Sequence, residues 1–176
     1  MGKKIELSHS TIRFMIGWFI VILAVVLILY LRGFLDVRPT NLNSLSFESL
    51  TTSVIVVLEM VLVYLVTSLI SIRGIVLIPA CIFVSTLDLY FLQLIFDLSK
   101  GKITAALIYI VITLSFVGII YELSLITIKT IDNLKYQEFS NYIDRWWHSL
   151  RLAIQLNWHP LVPLLVLYVF ALSFTK

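Results

Sequence analysis

Charge is scarce in this chain. Aspartate, glutamate, lysine and arginine make up 13% of its 176 residues, about half the share of a soluble domain, too little to solvate a globular surface. The one cysteine, Cys81, lies inside an apolar run, so no internal disulfide can form and the thiol reads as a small packing group. Six glycines and four prolines are scattered along the chain and build no glycine-rich phosphate loop. Nucleophile elbows, zinc spacings and paired-carboxylate lipid-enzyme patterns are missing as well, which leaves catalysis without a motif.

Apolar residues are abundant instead, at 60% of the sequence with a mean hydropathy of +1.03. They gather in runs of about 20, the length that crosses a hydrocarbon core at 1.5 Å per residue. The fold class is therefore all-α: a polytopic transmembrane helical bundle of about five spans, forming one integral membrane domain. The net charge of +3 would hint at nucleic acid in a soluble chain, but these basic residues sit at the ends of apolar runs and report topology. Membrane lipids and other membrane subunits, or a second copy, are the expected partners, and nucleic acid is not.

The first span is expected over residues 12–31. Lys3, Lys4 and Arg13 give it the basic start of a secretion signal, but it is too long for one, and Tyr30-Leu31-Arg32 offers no small-residue cleavage site. Gly2 opens a myristoylation pattern that Glu6 breaks. A polar loop with Pro39, Asn41, Asn43 and Ser44 follows. Span two, 50–71, is capped by Ser49 or Thr51. Gly74 after a short polar break predicts a tight antiparallel hairpin with span three, 75–98, and Ser99-Lys100-Gly101-Lys102 turns the chain into span four, 103–128.

Over 133–157 the composition changes. Phe139, Ile143, Trp146 or Trp147, Leu150 and Ile154 recur at helical spacing opposite Glu138, Asn141, Asp144, Arg145, His148, Arg151 and Gln155. This pattern predicts an amphipathic helix lying in the membrane interface, or one packed on the bundle's own loops. Trp146, Trp147, Arg145, Arg151 and Trp158 are its candidate interfacial docking residues. The last apolar segment, 160–174, is expected as a short fifth span, with a re-entrant segment or second surface helix as alternatives. With the N-terminus cytoplasmic, eight basic residues (Lys3, Lys4, Arg13, Arg73, Lys129, Lys135, Arg145, Arg151) face five (Arg32, Arg38, Lys100, Lys102, Lys176), the sense expected for a multi-pass protein of the cell membrane.

The candidate site is an intramembrane acidic pair, Glu59 in span two and Asp88 in span three. Both lie roughly 14 Å below the outer ends of their spans at 1.5 Å per residue, and acids at that depth usually face the bundle interior and carry function. If their faces turn together they would share a proton. Three readings are open: a structural polar cluster with Tyr64, Ser85, Thr86, Tyr90 or Gln93, a proton or cation relay, or contact with a charged group on a partner chain. Glu122 reads as an interfacial acid reaching towards Lys129, and Asp97 as ordinary loop charge. His9, His148 and His159 lie outside the middle of any span, and the last two are about 16 Å apart on a straight helix. No metal or cofactor is expected.

The order of features also carries a resemblance. A first span, a polar loop, a second span with an acid inside it (Val57-Leu58-Glu59-Met60), a break at Ile72-Arg73, a third span and a fourth containing Ala106-Leu107-Ile108-Tyr109 together resemble the phosphate-starvation-inducible E family over residues 14–121. The resemblance rests on layout and hydropathy and implies a small four-span membrane protein. Where that family would carry a basic residue late in the third span, this chain has Asp88, and it continues with an amphipathic segment and a last span beyond Ile128. Residues and resemblance together predict a non-catalytic membrane protein that works by packing, as an accessory or structural subunit of a larger prokaryotic membrane complex. The rival is a small homo-oligomeric channel or proton-coupled carrier using Glu59 and Asp88.

Overall fold

The computed structural model describes residues 9–136 and 141–175. Lys3, Lys4 and Lys176 of the charge tally, Gly2 and Glu6, and Glu138 and Phe139 of the amphipathic pattern lie outside them. Helices are the only regular elements among the described residues. The described chain has five long helices, α1 His9–Leu31, α2 Phe47–Ser68, α3 Leu77–Ser99, α4 Ile103–Asn133 and α5 Tyr142–Ser173, with short 3-10 turns at Arg73–Val76 and Leu134–Tyr136. All five are long and apolar enough to cross a membrane. The chain is a multi-pass helical bundle.

Local chemistry sets the ends. Ser46, not Ser49 or Thr51, caps α2: its side chain accepts from the Ser49 amide at 3.0 Å, while Ser49 Oγ reciprocally accepts from the Ser46 amide, an all-serine capping box. Asn141 caps α5 by accepting from the Ile143 amide. Gly101 takes a positive φ of 71° in the α3–α4 turn, a conformation that costs glycine nothing.

Helices α4 and α5 form the packed centre. They are antiparallel and touch more extensively than any other pair. Their approach is close enough that a Cβ placed on Gly118 would meet Leu164 Cδ1 at 2.8 Å. The small residues Ser115 and Gly118 thus sit where a neighbouring helix comes near. Helix α3 packs on α4, α2 on α5 and α4, and α1 leans on α3 alone, burying only Val26. Trp18 of α1 donates its indole N–H to Cys81 O of α3 at 3.2 Å, so Cys81 and Ser85 are also a helix approach.

Helix α5 corrects one expectation. The surface helix over 133–157 and the short span over 160–174 are parts of one 32-residue helix that runs through Pro160 and Pro163. Its buried residues Trp146, Leu150, Ala153, Asn157, Leu161, Tyr168 and Ala171, with the half-buried Leu164 and Leu165 between Leu161 and Tyr168, keep a three- and four-residue spacing across both prolines, so one stripe faces the bundle from end to end. The prolines fall on the exposed side. There each deprives one carbonyl of its donor without disturbing the packed face.

A second expectation also changes. Helices α2 and α3 follow each other through a short turn but touch sparsely along their length. They diverge, because α2 is drawn to α5 and α3 to α1 and α4.

Candidate functional site

The divergence of α2 and α3 opens a cleft of about 300 Å³ between them. Val56, Glu59, Met60 and Val63 of α2 form one wall at helical spacing. Ile82, Phe83, Thr86 and Tyr90 of α3 form the other, and Phe116 of α4 and Tyr168 of α5 form the floor. Glu59 is exposed in this cleft and makes no hydrogen bond or ion pair among the described residues. It lies about 18 Å from the Phe47 end of α2 and about 14 Å from the Ser68 end, near the middle of the span.

The floor is an aromatic cluster. Phe116 stacks on Tyr168 and meets Tyr90 and Phe83 edge-on, while Tyr64 stacks on Phe83. The Tyr90 and Tyr168 hydroxyls bond each other at 2.8 Å. Tyr64 instead accepts from Ser124 Oγ at 3.2 Å. The ring geometries are the offset and edge-on arrangements that aromatic quadrupoles favour, so the floor is rigid and its hydroxyls are committed to one another.

Asp88 is not part of this cleft. It is two residues from both Thr86 and Tyr90, about 160° around the helix from each, on the side of α3 that faces α1 and α4. It is 0% exposed, and neither carboxyl oxygen has a hydrogen-bond partner among the described residues. Val84 and Leu92, one turn away on the same side, are buried and apolar. Beside them, Val84 and Leu87 join Met15, Phe19 and Ile120 around an apolar gap of about 270 Å³. The acidic pair therefore does not form: Glu59 and Asp88 share a depth, but Glu59 of α2 opens into the α2–α3 cleft while Asp88 lies on the side of α3 turned away from it.

The predicted polar partners scatter accordingly. Ser85 donates to Cys81 O and receives the Trp18 indole, Thr86 and Tyr90 line the Glu59 cleft, and Gln93 belongs to a network at the Ser99 end of α3. The centre of that network is Asp97, which is not loop charge. It is 0% exposed and accepts from the Thr40 amide at 2.8 Å, from Thr40 Oγ1 at 2.6 Å and from Gln93 Nε2 at 3.2 Å. Lys102 Nζ donates to Thr40 O and Asn41 Oδ1. Asp97 thereby pins the long α1–α2 loop over the bundle. Gln93 and Asp97, two polar residues four apart at the end of an apolar span, mark a polar face in the sequence but not its partner Thr40.

At the opposite end, Arg73 Nε bonds Asp132 Oδ1 at 2.6 Å, Trp146 Nε1 donates to Ser68 Oγ at 3.0 Å, and Lys129 Nζ, whose charge Glu122 feels, bonds Asn157 Oδ1. Trp146 is thus an internal packing residue and not an interfacial docking one. Trp147 and Trp158 remain outward, 60% and 47% exposed, with Arg151 exposed beside them and Arg145 half-buried over the Tyr142 ring. Among the described residues no three His, Cys, Asp or Glu side chains gather in a way that would hold a metal ion.

No protein-family model matches the chain, and comparison with curated proteins and with solved structures finds no match either.

Proposed function

We propose that this protein is a non-catalytic accessory subunit of a larger complex in the cell membrane, working by packing against other membrane chains. The observation that supports this reading is Glu59, an acid at mid-span depth with no partner among the described residues, opening sideways between two diverging helices. An ionised carboxylate in hydrocarbon costs several kcal/mol, and protonation still leaves an O–H and a carbonyl without partners. A neighbouring chain supplies the missing group and closes the cleft. The paired-acid relay has less behind it, since it relied on Glu59 and Asp88 meeting.

The same reading puts the N-terminus on the cytoplasmic side. Arg13, Arg73, Lys129, Lys135, Arg145 and Arg151 lie towards one end of the bundle, and Arg32, Arg38, Lys100 and Lys102 towards the other, in the sense of the positive-inside bias. The resemblance to the phosphate-starvation-inducible E family is one of layout and fits a small packing subunit equally well.

Purification from native membranes in mild detergent tests the proposal. A subunit brings down other membrane chains in a fixed ratio; recovery of nothing but a homogeneous self-assembly refutes it.

A further inference from the structure

We infer that the cleft between α2 and α3 receives a basic side chain from a transmembrane helix of a different chain, one that carries a lysine or arginine near its midpoint. The inference rests on the subunit reading above and names the chemistry of the partner. The cleft has the shape of a trough, two helical walls with a fixed aromatic floor, open along one side. Its one charged group is Glu59, and the hydroxyls of Tyr90 and Tyr168 are already bonded to each other. What the trough lacks is a cation or a strong donor, and it lacks it about 18 Å from the outer end of α2.

Two other occupants fail on charge and depth. Among the described residues a second copy of this chain inserted the same way has no cation at that level: Arg13 is about 27 Å from the Leu31 end of α1. Helices α2 and α3 carry no lysine or arginine. Lys129 is about 39 Å along α4 from its outer start, and Arg151 is about 33 Å from the outer end of α5. Lipid headgroups sit at the membrane surface, and their phosphates repel a carboxylate. A long basic side chain from a foreign helix reaches the acid at its own depth, and pairing in a low-dielectric setting makes the contact specific.

The test uses the full chain in phosphatidylcholine liposomes, labelled with an acceptor at Ser44→Cys in a Cys81→Ser background. The probe is a donor-labelled guest helix of about 21 residues, leucine and alanine with a single central lysine. Energy transfer above the random-collision level is expected for the lysine guest and not for guests with central leucine or glutamate. Glu59→Gln weakens the lysine guest about tenfold, and Glu59→Lys reverses the preference so that the glutamate guest binds. Helix content and thermal unfolding, unchanged in these variants, confirm that they fold.

Equal binding of the leucine guest, indifference to Glu59→Gln, or Glu59-dependent pairing of the labelled chain with itself each overturns the inference. If the lysine guest stays at the random level while the natural chain still co-purifies in a fixed ratio that Glu59→Gln leaves unchanged, the basic-helix assignment falls and the subunit reading stands. If the chain is recovered only with itself, the subunit reading falls.

Discussion

Replacing Asp88 with valine is expected to stabilise the isolated chain. The carboxyl is fully buried midway along α3 with both oxygens unpartnered, and a buried polar group without a hydrogen bond costs about 1–3 kcal/mol. Valine removes that cost. Valine and aspartate rank alike in helix propensity, and the apolar gap beside Val84 and Leu87 leaves the surrounding side chains room to adjust. The net gain is about 1–2 kcal/mol, which for a chain of this size raises the unfolding midpoint by roughly 2–8 °C. Asparagine keeps the shape and the unmet hydrogen bonds, so Asp88→Asn should stay within about 1 kcal/mol of the parent. Thermal unfolding in one detergent, read by loss of helical circular dichroism, measures both. A midpoint lowered by Asp88→Val would refute the reasoning, because it would mean that the carboxyl holds a water or cation that stabilises the fold.

Three further outcomes follow from the packing. Asp97→Ala leaves the Thr40 amide and hydroxyl and the Gln93 amide without their acceptor, so it should cost about 1–3 kcal/mol and expose the α1–α2 loop to proteolysis. Wild-type resistance in that variant would contradict the anchoring role. Gly118→Ala meets only the movable tip of Leu164 and should be near neutral, whereas Gly118→Leu forces α4 and α5 apart at a cost of about 1–3 kcal/mol. Partial rescue by Leu164→Ala in a double-mutant cycle is the check, and strict additivity would count against direct contact. Trp146→Phe loses the indole N–H to Ser68 and should destabilise by about 1 kcal/mol, while Trp147→Phe, on the exposed side, should change unfolding by less than about 0.5 kcal/mol.

The spans were legible because hydrocarbon thickness fixes their length. The ends of α1 to α4 fall within about five residues of the expected ones, and the depth of Glu59 and Asp88 followed from counting residues. Azimuth was not legible. Whether two acids at one depth meet depends on how each helix is rotated, and that is set by third parties: α5 draws α2 one way while α1 and α4 hold α3 the other. The merging of the last two segments was readable in principle. The buried stripe from Trp146 to Ala171 runs unbroken past Pro160 and Pro163, but the prolines and the polar residues between 141 and 159 outweighed it as signals of a boundary. Asp97 was missed for a different reason. Its partner Thr40 lies 57 residues away in a loop, and no local pattern connects the two.

The account stands or falls on what fills the space beside Glu59. A photoreactive residue placed at Thr86, on the opposite wall of the cleft, and activated in intact native membranes reads that occupant directly. The prediction is a single covalent adduct to the transmembrane segment of another protein, one with a lysine or arginine near its middle. Adducts to lipid alone, or to a second copy of this chain, would contradict it.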